Sequence, residues 1–265
     1  MMRDPYCPLF KIIWHICNNQ RKIVLSLQRE NNYIMTKIVA FGSAHLGNSG
    51  NSSPDNRIVE AVYSREMIRM CQELLEADGY QVLVDYEPLK PAPEMQATTW
   101  KVQQSRELAY RVNKVNEWCE KYGKDNIFYV SLHCDAAAGE KAWHNAGGVT
   151  FYTSRGQTDS DVLAECLYKS AERHLIDYKK LMEQGKARGI YSKSQTYIRI
   201  DMTDGDHDRE EDYYVLKHTK CAACLVEMGF QDNKWDVDYM LSEAGRYSLC
   251  RMLVDGIMSY AGNIE

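Results

Sequence analysis

Ala222-Ala-Cys-Leu-Val-Glu-Met-Gly-Phe230 is an apolar, strand-prone run interrupted by one carboxylate, Glu227. Two other stretches have the same form. Lys37-Ile-Val-Ala-Phe-Gly42 leads to His45, and Ile127-Phe-Tyr-Val-Ser-Leu132 leads to His133. Short apolar runs of this kind read as strands buried on both faces. Helical spacing fills the intervals: residues 58–78 place Val59, Val62, Tyr63, Met67, Met70, Cys71, Leu74 and Leu75 on one stripe, and Gly79 stops the helix. Strand–helix alternation predicts an α/β fold, a single domain with a largely parallel twisted sheet flanked by helices on both faces. In such a sheet, side chains just past the carboxyl ends of the strands converge on one crevice. Two histidines and a glutamate are thereby expected at one rim.

The remaining elements follow from the same reading. Strands are expected at 80–86 and 147–153, and helices over 101–121, 161–178 and 236–260. Residues 88–98, with three of the six prolines, and the polar stretch 185–212 read as irregular excursions. Tyr213-Tyr-Val-Leu216 begins a short element before the last strand.

Composition narrows the function classes. The chain has 265 residues, ordinary apolar and charged shares, and a net charge of −5, which argues against nucleic acid as a partner. No run of ~18 apolar residues is present, so no stable membrane insertion is expected. Nine cysteines without a disulfide-framework spacing favour synthesis in a reducing compartment, with thiols acting as small hydrophobes. Cys221 and Cys224 match C-x-x-C, but in a strand residues three apart point to opposite faces. Residues 1–34 carry five basic and two acidic side chains, whereas the rest is net −8. They read as an N-terminal arm, disordered or not native, ahead of a catalytic domain over 35–265. Leu9 to Cys17 is too interrupted for a clear export signal.

Taken singly, each candidate residue has an ordinary explanation. A histidine in a Gly/Ser/Asn loop, as at His45, is commonly solvated, and His133 could be a hydrogen-bonded core histidine. Glu60 suits the N-terminus of a helix on macrodipole grounds alone. Glu227 is the odd one, because a carboxylate amid Leu225, Val226 and Met228 is costly unless paired or bound to a cation. Together, two imidazoles and a glutamate with an open fourth position form a catalytic zinc set, and a second glutamate can serve as its base.

From about Lys37 to Tyr260 the chain resembles the zinc-dependent N-acetylmuramoyl-L-alanine amidases of the amidase-3 type. Gly42-Ser-Ala-His45 stands where the family has Asp-Pro-Gly-His, and Glu60 lies nineteen residues before Gly79-Tyr-x-Val. Arg111 and Asn116 match an Arg-x4-Asn pair, Val130-Ser-Leu-His133 a Val-Ser-Ile-His, and Leu225-Val-Glu-Met-Gly-Phe-Gln-Asp-Asn233 the closing signature. The resemblance implies that His45, Glu60 and His133 bind one Zn²⁺ and that Glu227 is the catalytic carboxylate. It implies hydrolysis of the amide between N-acetylmuramic acid and L-alanine in peptidoglycan. Departures lie around His45, where Leu46-Gly-Asn replaces the family's Gly-Gly, and at Asp135, where the family shows Asn. Asp135 is a candidate partner behind a metal ligand, and Arg199 or Lys193 in the second excursion could meet a peptide carboxylate. Rival readings are a zinc hydrolase of related fold acting on another peptide or acyl-amino-acid amide, and an inactive module binding wall fragments. The preferred setting is an endolysin-like enzyme made in the cytoplasm and acting at the wall after export or lysis; the oligomeric state is left open.

Overall fold

A computed structural model describes residues 37–47, 49–139 and 141–263; the expected arm, residues 1–34, lies outside them. Strands β1 (Ile38–Ser43), β2 (Gln81–Val84), β3 (Ile127–Asp135), β4 (Val149–Thr153), β5 (Ile198–Arg199), β6 (Arg209–Glu210) and β7 (Ala223–Phe230) form one sheet. Its order is β2-β1-β3-β7-β4-β5, with β6 also on β4. The β2-β1-β3-β7 half is parallel, while β4 runs antiparallel to β7. The sheet is therefore mixed and largely parallel, with helices on both faces.

The helices are α1 (Glu60–Ala77), α2 (Trp100–Tyr122), α3 (Asp159–His174), α4 (Ile176–Ala187), α5 (Tyr214–His218), α6 (Lys234–Leu241) and α7 (Glu243–Asn263). The apolar stripes of α1, α3 and α7 cover one face of the sheet, packing on Val39, Phe41, Phe128, Val130, Cys224 and Val226. Helices α2 and α5 cover the other, packing on Ala40, Ile127, Tyr129, Ala223 and Leu225. Cys224 belongs to the first layer and Cys221 to the second, the opposite-face arrangement that strand periodicity dictates.

Local chemistry sets the ends of these elements. The Thr99 side chain accepts from Val102 N at the start of α2, and Gly123, at φ 89°, ends that helix in the left-handed region that favours glycine. Thr158 and Asp161 make a reciprocal capping box on α3.

Three expectations change. The helix expected over 161–178 is two, α3 and α4, joined at Leu175, and the second continues to Ala187, inside the stretch expected to be irregular. The helix expected over 236–260 is also two, because Ser242 takes an extended conformation (φ −69°, ψ 150°) between α6 and α7. In both cases the apolar spacing runs on across the break. Third, His133 and Glu227 lie inside β3 and β7, not beyond them: pairing continues to the register pair His133↔Glu227, and the shift comes only after it.

Candidate active site

The rim is built first from backbone. The segment after β1 is fixed by Ser43, whose hydroxyl donates to Tyr86 O (2.7 Å), and by Ala44 N, which donates to Ser64 Oγ (3.1 Å). His45 follows at φ 37°, a conformation L-residues other than glycine seldom adopt. Its carbonyl accepts from two buried guanidiniums, Arg65 Nη2 at 3.0 Å and Arg111 Nη2 at 3.1 Å. Glu60 is the first residue of α1, and its N–H donates to Asn51 O at 3.0 Å.

Three side chains meet there. Glu60 Oε2 lies 3.4 Å from His45 Nε2, and Glu60 Oε1 lies 3.1 Å from His133 Nδ1 and accepts from Cys134 N at 3.0 Å. The two imidazole rings stand edge to face, centroids 5.3 Å apart. Burial lowers the His45 pKa to about 4 against the opposing pull of Glu60, so this ring is neutral at pH 7. Burial opposes ionisation of Glu60, but the hydrogen bond from His133 and the two histidines' charge outweigh it and hold its pKa low. A deprotonated carboxylate 2% exposed and a neutral imidazole are the protonation states that metal binding requires. One donor atom from each of the three residues lies within 4.8 Å of the others, and two nitrogens with one carboxylate oxygen suit zinc. The residues fit the ion.

Glu227 faces the group from the next strand. It is the register partner of His133, and its Oε2 is buried with no hydrogen-bond partner. Burial, then repulsion from Asp135 and Glu60, pushes its pKa well above the usual carboxylate range. Two cavities, of about 310 and 280 Å³, flank these residues, and His45, His133 and Glu227 line both. The first is walled by Asn51, Ser52, Asp135, Lys141 and Asp232; the second by Leu108, Tyr213 and Tyr214.

The structure thus brings together His45, Glu60, His133 and Glu227, with Asp135 on the wall. Arg199 is held to Asp135 at 3.0 Å and lies over the Phe230 ring. Lys193 is exposed and lines neither cavity. Lys141 was not singled out by the sequence, where it sits in a featureless polar stretch. It lines the first cavity and donates to Ser52 Oγ (2.6 Å) and Asn56 Oδ1 (3.0 Å).

The class defined here is an α/β protein whose mixed sheet carries a His–Glu–His group and a buried carboxylate in a cleft at its rim. The profile of the amidase-3 family, N-acetylmuramoyl-L-alanine amidase, matches residues 39–259, and the chain belongs to that family. It is a peptidoglycan amidase, an enzyme that separates N-acetylmuramic acid from the L-alanine of the stem peptide. Solved structures share the fold. The CwlD amidase of Clostridioides difficile, in complex with the GerS lipoprotein, is 18% identical with a TM-score of 0.60, the match covering 86% of this chain and 100% of that one. The catalytic domain of CwlV from Bacillus (Paenibacillus) polymyxa var. colistinus is 16% identical (TM-score 0.59), over 87% and 100% of the two chains. The catalytic domain of the CD27L endolysin, which targets C. difficile, is 17% identical (TM-score 0.53), over 84% and 97%. No curated protein sequence matches the chain. Among the described residues no helix is long and apolar enough to cross a membrane.

Proposed function

We propose that this amidase works through one zinc ion held by His45, Glu60 and His133, with Glu227 as its acid–base residue. The observation that carries the reading is the buried, unpartnered Oε2 of Glu227, set in register with His133 beside a His–Glu–His group. The chemistry zinc supplies when bound is Lewis-acid polarisation of the scissile carbonyl and acidification of a water. Glu227 takes a proton from the attacking water and delivers it to the departing alanine nitrogen. The pKa that burial raises suits the half in which Glu227 delivers its proton, and a cation bound beside it would favour the carboxylate that the first half needs. Ser131, its hydroxyl 3.1 Å from His133 Nε2, steadies the His133 ring.

The glycan and stem peptide would occupy the two cavities on either side of this centre. Lys141 on the polar wall is the cation placed to meet a peptide carboxylate, and the Arg199–Asp135 pair stiffens the wall beside Glu227. Lys193 has no part in this reading. The seven described cysteines are buried and form no disulfide among the described residues, which supports synthesis in a reducing cytoplasm and an endolysin-like route to the wall.

Zinc content and hydrolysis of purified sacculi, measured together for the wild type and Glu227→Gln, test the assignment. Equal zinc in both proteins with activity lower by ~10²-fold or more in the variant is the expected result. A zinc-free wild type purified without chelator, or equal activities, would refute it.

A further inference from the structure

Away from the cleft, three aspartates meet where the end of β4 passes the segment that returns from the second excursion. Asp161 lies in the first turn of α3, while Asp206 and Asp208 immediately precede β6. One carboxylate oxygen from each lies within 4.8 Å of the others. Every one of these carboxylates uses a single oxygen locally. Asp161 Oδ2 accepts from Thr158 N, Asp206 Oδ2 from Gln157 Nε2 at 3.1 Å, and Asp208 Oδ2 from the Thr153 hydroxyl.

The second oxygen, Oδ1 in all three, is sealed from solvent and has no hydrogen-bond partner. Asp161 and Asp208 are only 7% and 4% exposed, so water does not relieve them. The groups around them make matters worse: Asp206 and Glu210 repel the charge of Asp161, while Asp206 approaches Asp208 closely enough to share a proton and, with Asp161, repels its charge. Nearby basic side chains are directed elsewhere. His207 turns to Glu165 at 2.8 Å, and Arg209 lies over the Tyr152 ring. Burial first, then these neighbours, raise the Asp208 pKa to about 7. Bare, buried carboxylate oxygens gathered at one point need a cation or shared protons.

We propose that Asp161, Asp206 and Asp208 form a second cation site, one that takes calcium and pins the 200–210 segment to β4 and α3. The donors are all hard oxygens, which select calcium or magnesium over zinc. Calcium accepts an irregular shell of about six to eight oxygens, which suits three carboxylates fixed by their own backbone and side-chain partners, whereas magnesium demands a near-ideal octahedron and keeps several of its waters. The Thr153 hydroxyl and the Gln157 amide, with its oxygen turned inward, supply further ligands, and water completes the shell. The site is separate from the His–Glu–His group and stands whether or not that group binds zinc.

Calcium titration by calorimetry tests this on the full chain after removal of metals and restoration of zinc. Parallel titrations use Asp206→Asn, Asp208→Asn and His133→Ala, with circular dichroism to establish folding. The expected result is one calcium per chain in the wild type and in His133→Ala, and affinity at least tenfold weaker in Asp206→Asn with zinc content unchanged. Asp206 is the safer variant because its residue is only partly buried. No uptake by folded wild type up to about 10 mM calcium, well above the weakest natural sites, would overturn the proposal. So would unchanged affinity in folded Asp206→Asn, loss of calcium in His133→Ala, or tighter binding of magnesium than of calcium.

Discussion

Replacing Arg111 by Met removes the guanidinium that ties together β1, β2, α2 and the His45 loop. The side chain is 3% exposed and makes five hydrogen bonds. Nε and Nη2 donate to Glu107 Oε1 (3.2 and 2.9 Å), Nη1 to Asp85 Oδ1 (2.7 Å) and Ser43 Oγ (3.0 Å), and Nη2 to His45 O. The variant leaves two buried carboxylates behind, but not equally. Asp85 still accepts from Tyr129 Oη at 2.9 Å and from Ser43 N at 3.2 Å. Glu107 keeps nothing comparable, since its Oε2 is already without a partner. Removing one member of a buried ion pair costs ~3–5 kcal/mol. With Asp85 partly satisfied, a loss near ~4 kcal/mol is expected, or about 8–16 °C in Tm at this domain size. Urea unfolding followed by circular dichroism measures it. The double variant Arg111→Met/Glu107→Gln should recover ~1–3 kcal/mol, because the stranded charge is gone. A loss below ~1 kcal/mol, or no recovery in the double variant, would show that the network is not what holds this corner.

Asp236 is wholly buried, and burial raises its pKa to about 6 although Tyr191 Oη (2.7 Å) and Phe230 N (2.8 Å) donate to it. A carboxyl raised above its unfolded value stabilises the fold most at low pH, and that contribution fades as pH rises from about 4 through 6. Wild type should therefore lose up to about 3 kcal/mol more than Asp236→Asn between pH 4 and 7, and parallel stability–pH curves would contradict this. Gly42→Ala would drive a methyl group against Tyr129 Oη and Cζ, displacing the hydroxyl that donates to Asp85. A destabilisation of ~1–3 kcal/mol by chemical denaturation is expected, and a neutral result would mean the sheet relaxes there without cost. Asn233 caps α6 through Trp235 N and Asp236 N and donates to His144 O and Ile190 O. Its replacement by Ala should cost ~1–2 kcal/mol or more, read as a lowered urea midpoint with unchanged slope.

The parts of this molecule legible in the sequence are those set by short-range pattern. Runs such as Ile127–Leu132 and Ala222–Val226 have to be buried strands, and the chemistry-bearing residues at their ends come to one rim, as the topology of an α/β sheet requires. The breaks at Leu175 and Ser242 are masked by apolar spacing that continues through both; at Ser242 the local cue is the serine itself, whose hydroxyl accepts from Gly245 N at 3.0 Å at the start of α7. The antiparallel sense of β4 was not legible, since Val149–Thr153 would satisfy either direction. Arg111 and Asn116 could be matched to a motif without a reason for either. The reason is tertiary: Arg111 grips the His45 loop, while Asn116 donates to His218 O (2.9 Å) and accepts from Lys220 N (2.9 Å), fixing the turn into β7.

The loop around His45 shows how far tertiary contacts can replace local sequence. It lacks the glycines that the family places beside the histidine, yet His45 itself takes a positive φ, at a cost of ~1–2 kcal/mol. That backbone is not permitted by a small residue; it is enforced from outside. Two guanidiniums donate to the same carbonyl, and hydrogen bonds from charged donors contribute ~1.5–3 kcal/mol each, enough to hold the strained conformation. Arg65 also donates to the carbonyls of Ala44, Ala61, Tyr86, Glu87 and Pro88, so the collar extends to the excursion that follows β2. Because Arg65 and Glu60 share α1, one helix presents a carboxylate to the imidazole of His45 and a guanidinium to its backbone. Moving α1 by even a fraction of a turn would break both, so the position of the histidine is coupled to the docking of the helix and not to the composition of the loop.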